Sequence, residues 1–179
     1  MDSHKSVDDL KYPIGKFIRP NEITPETLAK YILVLEQFPE KLKLAVSGLS
    51  ENLLNTAYRE SGWTVRQVVH HCADSHMNSF VRYKLALTEE NPTIKPYFED
   101  RWAELMDSKN ASVESSLSII GGIHSKWVVL LRSMTPSDFK RTFYHPEQKR
   151  DIPLDVTTAL YAWHSEHHLS HIYNVVGWP

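Results

Sequence analysis

The chain has 179 residues, 41% of them hydrophobic and 23% charged, with a formal net charge of −2. That is enough for one packed core, with no basic surplus to grip a phosphate backbone, so nucleic acid is excluded as an expected partner. Cys72 is the single cysteine, which excludes an internal disulfide and a thiolate-rich zinc cluster; any metal must be held by nitrogen and oxygen.

No run approaches the roughly 20 apolar residues of a membrane span, and MDSHKSVDDL lacks the pattern of a signal peptide. The expected location is the cytoplasm, away from membranes. The expected organisation is one domain over residues 1–179, in which 1–24, carrying Pro13 and Pro20 and no clear period, is an extended N-terminal arm. Thr24 before Pro25 and Glu26 predicts the first long helix, over ETLAKYILVLEQFPEKLKLAV, with a kink at Pro39.

The second start is sharper. Thr64 and Gln67 have the spacing of a capping box, and the helix they open is predicted to run to about Thr88. Val65, Val68, Val69, Cys72, His76, Phe80 and Tyr83 form its buried stripe. Two prolines in NPTIKPYFEDRW break it, and EDRWAELMDSK predicts a short helix in the connection. A third long helix fits SVESSLSIIGGIHSKWVVLLRSM, with Gly121 and Gly122 allowing a bend or a close helix approach. KRTFYHPEQKRDIPL alternates around a turn and predicts a small hairpin or irregular loop, and the last helix runs from near Asp155 to Val176 and stops at Gly177. Four long helices without a βαβ rhythm or internal repeat predict an all-α four-helix bundle with long connections.

The last helix carries four of the chain's ten histidines within eight positions, 164–171. Leu160, His164, His168 and His171 share the inward face, His167 sits at its edge, and Glu166, Ser170 and Tyr173 face away. Histidines at i and i+4 let two imidazoles converge on one divalent ion at about 2.0–2.1 Å each. His164 with His168 has this spacing, as does His167 with His171; the wheel favours the first pair. A third ligand is expected from VVHHCADSH on the second helix, where His76 lies nearest the stripe's centre, His71 on the flank and His70 outward.

A single helical histidine is more often a hydrogen-bonded core residue than a ligand. A row of them is different, because each buried imidazole left without a partner costs roughly 1–3 kcal/mol and one shared ion serves several at once. Cys72 reads as a buried, inert thiol. Asp74 reads as a surface carboxylate within reach of a ligand histidine. Trp63, Trp102, Trp127, Trp163 and Trp178 read as core or interface anchors, with Trp163 placed to line a pocket beside His164.

The segments YPIGKFI, GWTVRQVVHHCADSHMNSFVRYKLALTEENPTIKPY and YAWHSEHHLSHI resemble the YfiT group of the DinB-like four-helix-bundle metalloproteins. Carried over residue by residue, that family's motif falls on His71, His164 and His168 as metal ligands. The resemblance implies zinc or nickel, one divalent ion per chain, a homodimer, and a metal-dependent hydrolase acting on a small-molecule substrate. Three neutral histidines leave the ion open positions for water or substrate. It leaves His167 and His171 as pocket residues behind the ligands, although a purely structural role is the simpler expectation for both.

Two alternatives accompany the hydrolase. One is S-transfer from a low-molecular-weight thiol of the bacillithiol type held as a metal-stabilised thiolate, which would need a basic pocket drawing on Arg66, Arg82 or Lys84. The other is a non-catalytic metal-binding or sensing bundle.

Overall fold

A computed structural model describes residues 6–177. The arm is not wholly extended: Ser6 and Asp9 form a reciprocal capping box and wind Val7–Lys11 into α1. The first long helix, α2 (Pro25–Val46), starts at the Thr24 cap and runs unbroken through Pro39. After the single turn α3 (Glu51–Leu54), α4 (Val65–Thr88) begins on the Thr64–Gln67 capping box, both reciprocal bonds being present. The predicted connection helix is two short pieces, α5 (Glu99–Trp102) and α6 (Met106–Asn110).

The third long helix, α7 (Val113–Ser133), passes through Gly121 and Gly122 without ending. A methyl group on either glycine would meet nothing within 4 Å among the described residues beyond its own helix backbone, so the pair serves no close helix approach. The turn of helix α8 (Pro136–Lys140) leads into β1 (Thr142–His145) and β2 (Arg150–Pro153), an antiparallel hairpin pairing Phe143 with Ile152. The last helix, α9 (Leu154–Val176), closes at Gly177, whose φ of 85° suits a residue without a Cβ.

The four long helices form a bundle with an uncommon neighbour order. α2 packs against α7 and α9, and α4 packs against the same two, so the first two long helices lie diagonally across the bundle. A simple up-down bundle would make them neighbours. The diagonal requires the long 47–64 connection and leaves α9 enclosed by α1, α2, α4, α8 and β2. That enclosure explains a departure from the wheel: Ser170, expected to face away, is buried. Among the described residues, no helix is long and apolar enough to cross a membrane.

The core has two apolar halves. One gathers Phe38, Leu42, Val69, Cys72, Ile120 and Ile172; the other gathers Leu35, Tyr83, Trp127, Leu131, Phe143 and Leu154. His76 on α4, His124 on α7 and His164 and His168 on α9 fall in sequence between these halves and give the bundle a polar waist. Buried imidazoles need partners, and the waist supplies them.

Candidate metal centre

At one edge of the waist, α4 presents His71 and α9 presents His164 and His168. One ring nitrogen from each lies within 4.8 Å of the others, the only such His, Cys, Asp or Glu group among the described residues. The Nε2 atoms of His71 and His164 are 3.2 Å apart, and the ring centroids of His164 and His168 are 4.4 Å apart. Two ligands at about 2.0–2.1 Å on a tetrahedral ion are separated by about 3.3 Å, so the arrangement fits one small ion. The donor set fits as well, since three imidazoles with no carboxylate suit zinc, nickel or copper and not magnesium or calcium.

The protonation state agrees. Burial, with His171 nearby, lowers the pKa of His71 to about 4. Burial, then the neighbouring imidazoles, holds His164 and His168 well below the ordinary histidine range. All three are neutral at pH 7, the form that binds a metal.

Two cavities reach the histidines. A cavity of about 530 Å³ is lined by all three, by Trp63 and Trp163, and by Lys11 and Arg59. Trp63 packs on His71 with centroids 4.7 Å apart, and Trp163 stacks on His167 at 4.4 Å. The N-terminal arm forms part of the wall: Tyr12 stacks against His167, Phe17 tilts against Trp163, and the Trp163 indole N–H donates to the Gly15 carbonyl. A second cavity of about 490 Å³ reaches His164 past Ser75, Tyr161, Arg82 and His145; Glu99 and Asp100 line both cavities.

Other expectations fare unevenly. His76, nearest the stripe's centre, joins His124 and His164 in hydrogen bonds and does not join the three-nitrogen group. His70, expected outward, is buried under the start of α7, with Nδ1 2.7 Å from Ser116 Oγ. His167 and His171 both line the first cavity behind the ligand group. Arg66 lines neither cavity that reaches the histidines: it is buried and bonded to Glu51, Asn55 and the Ala111 carbonyl. Arg82 does line the second cavity, whereas Lys84 lies over the Phe80 ring. Trp178 lies outside the described residues. Cys72 is fully buried, and burial raises its thiol pKa, which leaves it inert.

Sequence reasoning missed His124. It follows Val113, Leu117 and Ile120 on the buried stripe of α7 and precedes Trp127, Val128 and Leu131. A polar residue in the middle of that run is the signal that was available.

Asp74, three residues after His71, is half-buried, and burial together with the Asp107 carboxylate raises its pKa to about 6. A raised carboxyl pKa means the fold disfavours the ionised form, so stability falls as pH rises from about 4 to 6 and stays reduced above that. Asp74→Asn is therefore expected to raise the urea midpoint of the metal-free protein at pH 8 and to have little effect at pH 4. Equal destabilisation at both values would show that the carboxylate has a stabilising partner.

Comparison with known proteins bears directly on this geometry. A model described as DinB superfamily matches residues 35–172. The chain is 50% identical over 173 residues to "Putative metal-dependent hydrolase YfiT" of Bacillus subtilis, covering 95% of this chain and 97% of the relative. A Bacillus mycoides protein of the same description is 51% identical over 164 residues, covering 92% and 94%. The solved structure of YfiT, described as "a probable metal-dependent hydrolase with an unusual four-helix bundle topology", superposes with a TM-score of 0.91 at 49% identity, covering 96% of this chain and 99% of that one. The diagonal order of α2 and α4 is consistent with that description.

Proposed function

The chain belongs to the DinB superfamily, and from that footing we propose that it is a metal-dependent hydrolase of small molecules whose ion is held by His71, His164 and His168. The observation that carries the reading is the convergence of three neutral imidazole nitrogens, from two facing helices, at the floor of a cavity. When bound, a divalent ion supplies a Lewis acid and lowers the pKa of water in its open position toward neutrality. Zinc and nickel are the metals proposed, one per chain, in a cytoplasmic homodimer.

The chain's own residues do the rest. His71, His164 and His168 bind through nitrogen. Trp63 packs against the His71 and His168 rings and Trp163 stacks on His167 beside them, and both limit water at the cavity wall. Glu99, exposed at one edge, lines both cavities that reach His164, where partial desolvation, then the Asp100 and Glu147 carboxylates, raises its pKa. It is the carboxyl suited to hold or move a proton at the substrate.

Lys11 and Arg59 line the first cavity beside Glu99 and Asp100, and the two cations give carboxylates a place to pair, which supports the second reading, S-transfer from a low-molecular-weight thiol bearing carboxylates. The two readings separate in one experiment. Metal-loaded protein is assayed on a panel of esters and amides and on thiol–electrophile pairs, then after chelation and after restoration of zinc or nickel. Ester or amide turnover that follows the metal supports hydrolysis; turnover confined to the thiol pairs replaces it with S-transfer. No metal-dependent turnover of either kind leaves the non-catalytic metal-binding bundle.

A further inference from the structure

Two chains of hydrogen bonds lead away from the proposed ligands, one into the core and one to the N-terminal arm, and each ends on a backbone carbonyl. In the first, His164 Nδ1 lies 3.1 Å from His76 Nε2, His76 Nδ1 lies 2.7 Å from His124 Nε2, and His124 Nδ1 lies 2.6 Å from the Leu35 carbonyl oxygen. In the second, His168 Nδ1 lies 3.3 Å from His171 Nδ1, and His171 Nε2 lies 3.1 Å from the Lys11 carbonyl oxygen.

A carbonyl oxygen only accepts, and a neutral imidazole carries one N–H and one bare nitrogen. The donor at the end of each chain therefore determines every tautomer before it. His124 donates from Nδ1 to Leu35, which leaves its Nε2 bare to accept from His76 Nδ1. His76 Nε2 is then bare and accepts from His164 Nδ1, so His164 keeps a bare Nε2. By the same logic His171 donates from Nε2 to Lys11, its bare Nδ1 accepts from His168 Nδ1, and His168 keeps a bare Nε2. The chains end on groups that cannot take up a proton near neutral pH, so they orient the rings and do not conduct.

We infer that His76, His124 and His171 are positioning residues for the metal centre: through two carbonyl-anchored histidine relays they set His164 and His168 in the Nδ1–H tautomer and aim both Nε2 lone pairs at one point. Partners of this kind hold a ligand ring in register and raise its basicity. The inference also gives the N-terminal arm a task, because the Lys11 carbonyl that anchors the second relay belongs to α1. It rests on the assignment of His164 and His168 as metal ligands.

The test has two arms. Nitrogen-15 NMR of the metal-free parent at pH 8 reads each tautomer directly. The expected pattern is Nδ1–H at His76, His124, His164 and His168, against the Nε2–H preference of a free histidine side chain, and Nε2–H at His171. Nε2–H at His76, or Nδ1–H at His171, overturns the relays whether or not metal binds.

The second arm measures zinc affinity by competition with a chromophoric chelator. His76→Phe fills the site but cannot accept from His164, and is expected to weaken zinc binding about 10–100-fold. His76→Gln, whose amide both accepts and donates, is expected to stay within about threefold of the parent. Equal affinity for both variants, with helicity intact, overturns the inference. The expected tautomers in a parent that binds no zinc overturn instead the ligand assignment on which it rests.

Discussion

Replacing His168 or His71 by alanine is expected to lower zinc affinity by more than about a hundredfold, beyond the range for loss of an outer hydrogen-bond partner, while far-ultraviolet circular dichroism stays helical. The physical reason is ligand number. Three imidazoles leave an ion open positions, but two leave it held by a single chelate, with no third donor among the described residues to replace the one removed. His168→Ala also strands His171 Nδ1, the partner of His168 Nδ1. Loss of helical structure is not expected, since α9 retains Leu154, Leu169 and Ile172 in the two core halves. Equilibrium dialysis with zinc, on parent and variants side by side, checks the outcome.

The second large effect is structural. Trp127→Ala is expected to destabilise the fold by about 3–5 kcal/mol, the range for removing a large buried aromatic, measured by urea unfolding. Trp127 is fully buried and packs its ring near-perpendicular to His76, Tyr83, His124 and Tyr161, with centroids 5.2–6.1 Å away. It thus joins the apolar half that holds Tyr83 and Leu131 to the histidine waist, and domains of this kind have only about 5–15 kcal/mol to lose. Trp127→Phe is expected to cost much less. The indole N–H has no partner among the described residues, and deleting an unsatisfied buried donor offsets part of the lost contact. A phenylalanine variant as unstable as the alanine one would show that the N–H is satisfied in solution.

Much of the scaffold was legible because the signals are local. Thr64 and Gln67 mark the start of α4 whatever surrounds them, and Gly177 marks the end of α9. His164 and His168 were legible for the same reason, one turn apart on one helix. His71 was not, and the family motif had to supply it. The wheel pointed to His76, the residue nearest the centre of the stripe, but that centre faces the bundle axis, where neighbours enclose His76 completely. A site that must admit substrate belongs on the flank, where His71 borders the cavity.

The remaining departures come from tertiary coverage that one helix cannot reveal. His70 is outward on α4 until Ala111 and Ser116 cover it. Ser170 is outward on α9 until the diagonal packing encloses that helix. The capping box at Ser6 and Asp9 was readable and went unread among the prolines of the arm.

The most direct measurement is metal content by inductively coupled plasma mass spectrometry, on tag-free protein purified without chelator. About one zinc or nickel ion per chain is the expected result. No bound metal, either as purified or after reconstitution of the folded protein with zinc and with nickel, would contradict the metal centre and leave the histidines as a hydrogen-bonded polar core.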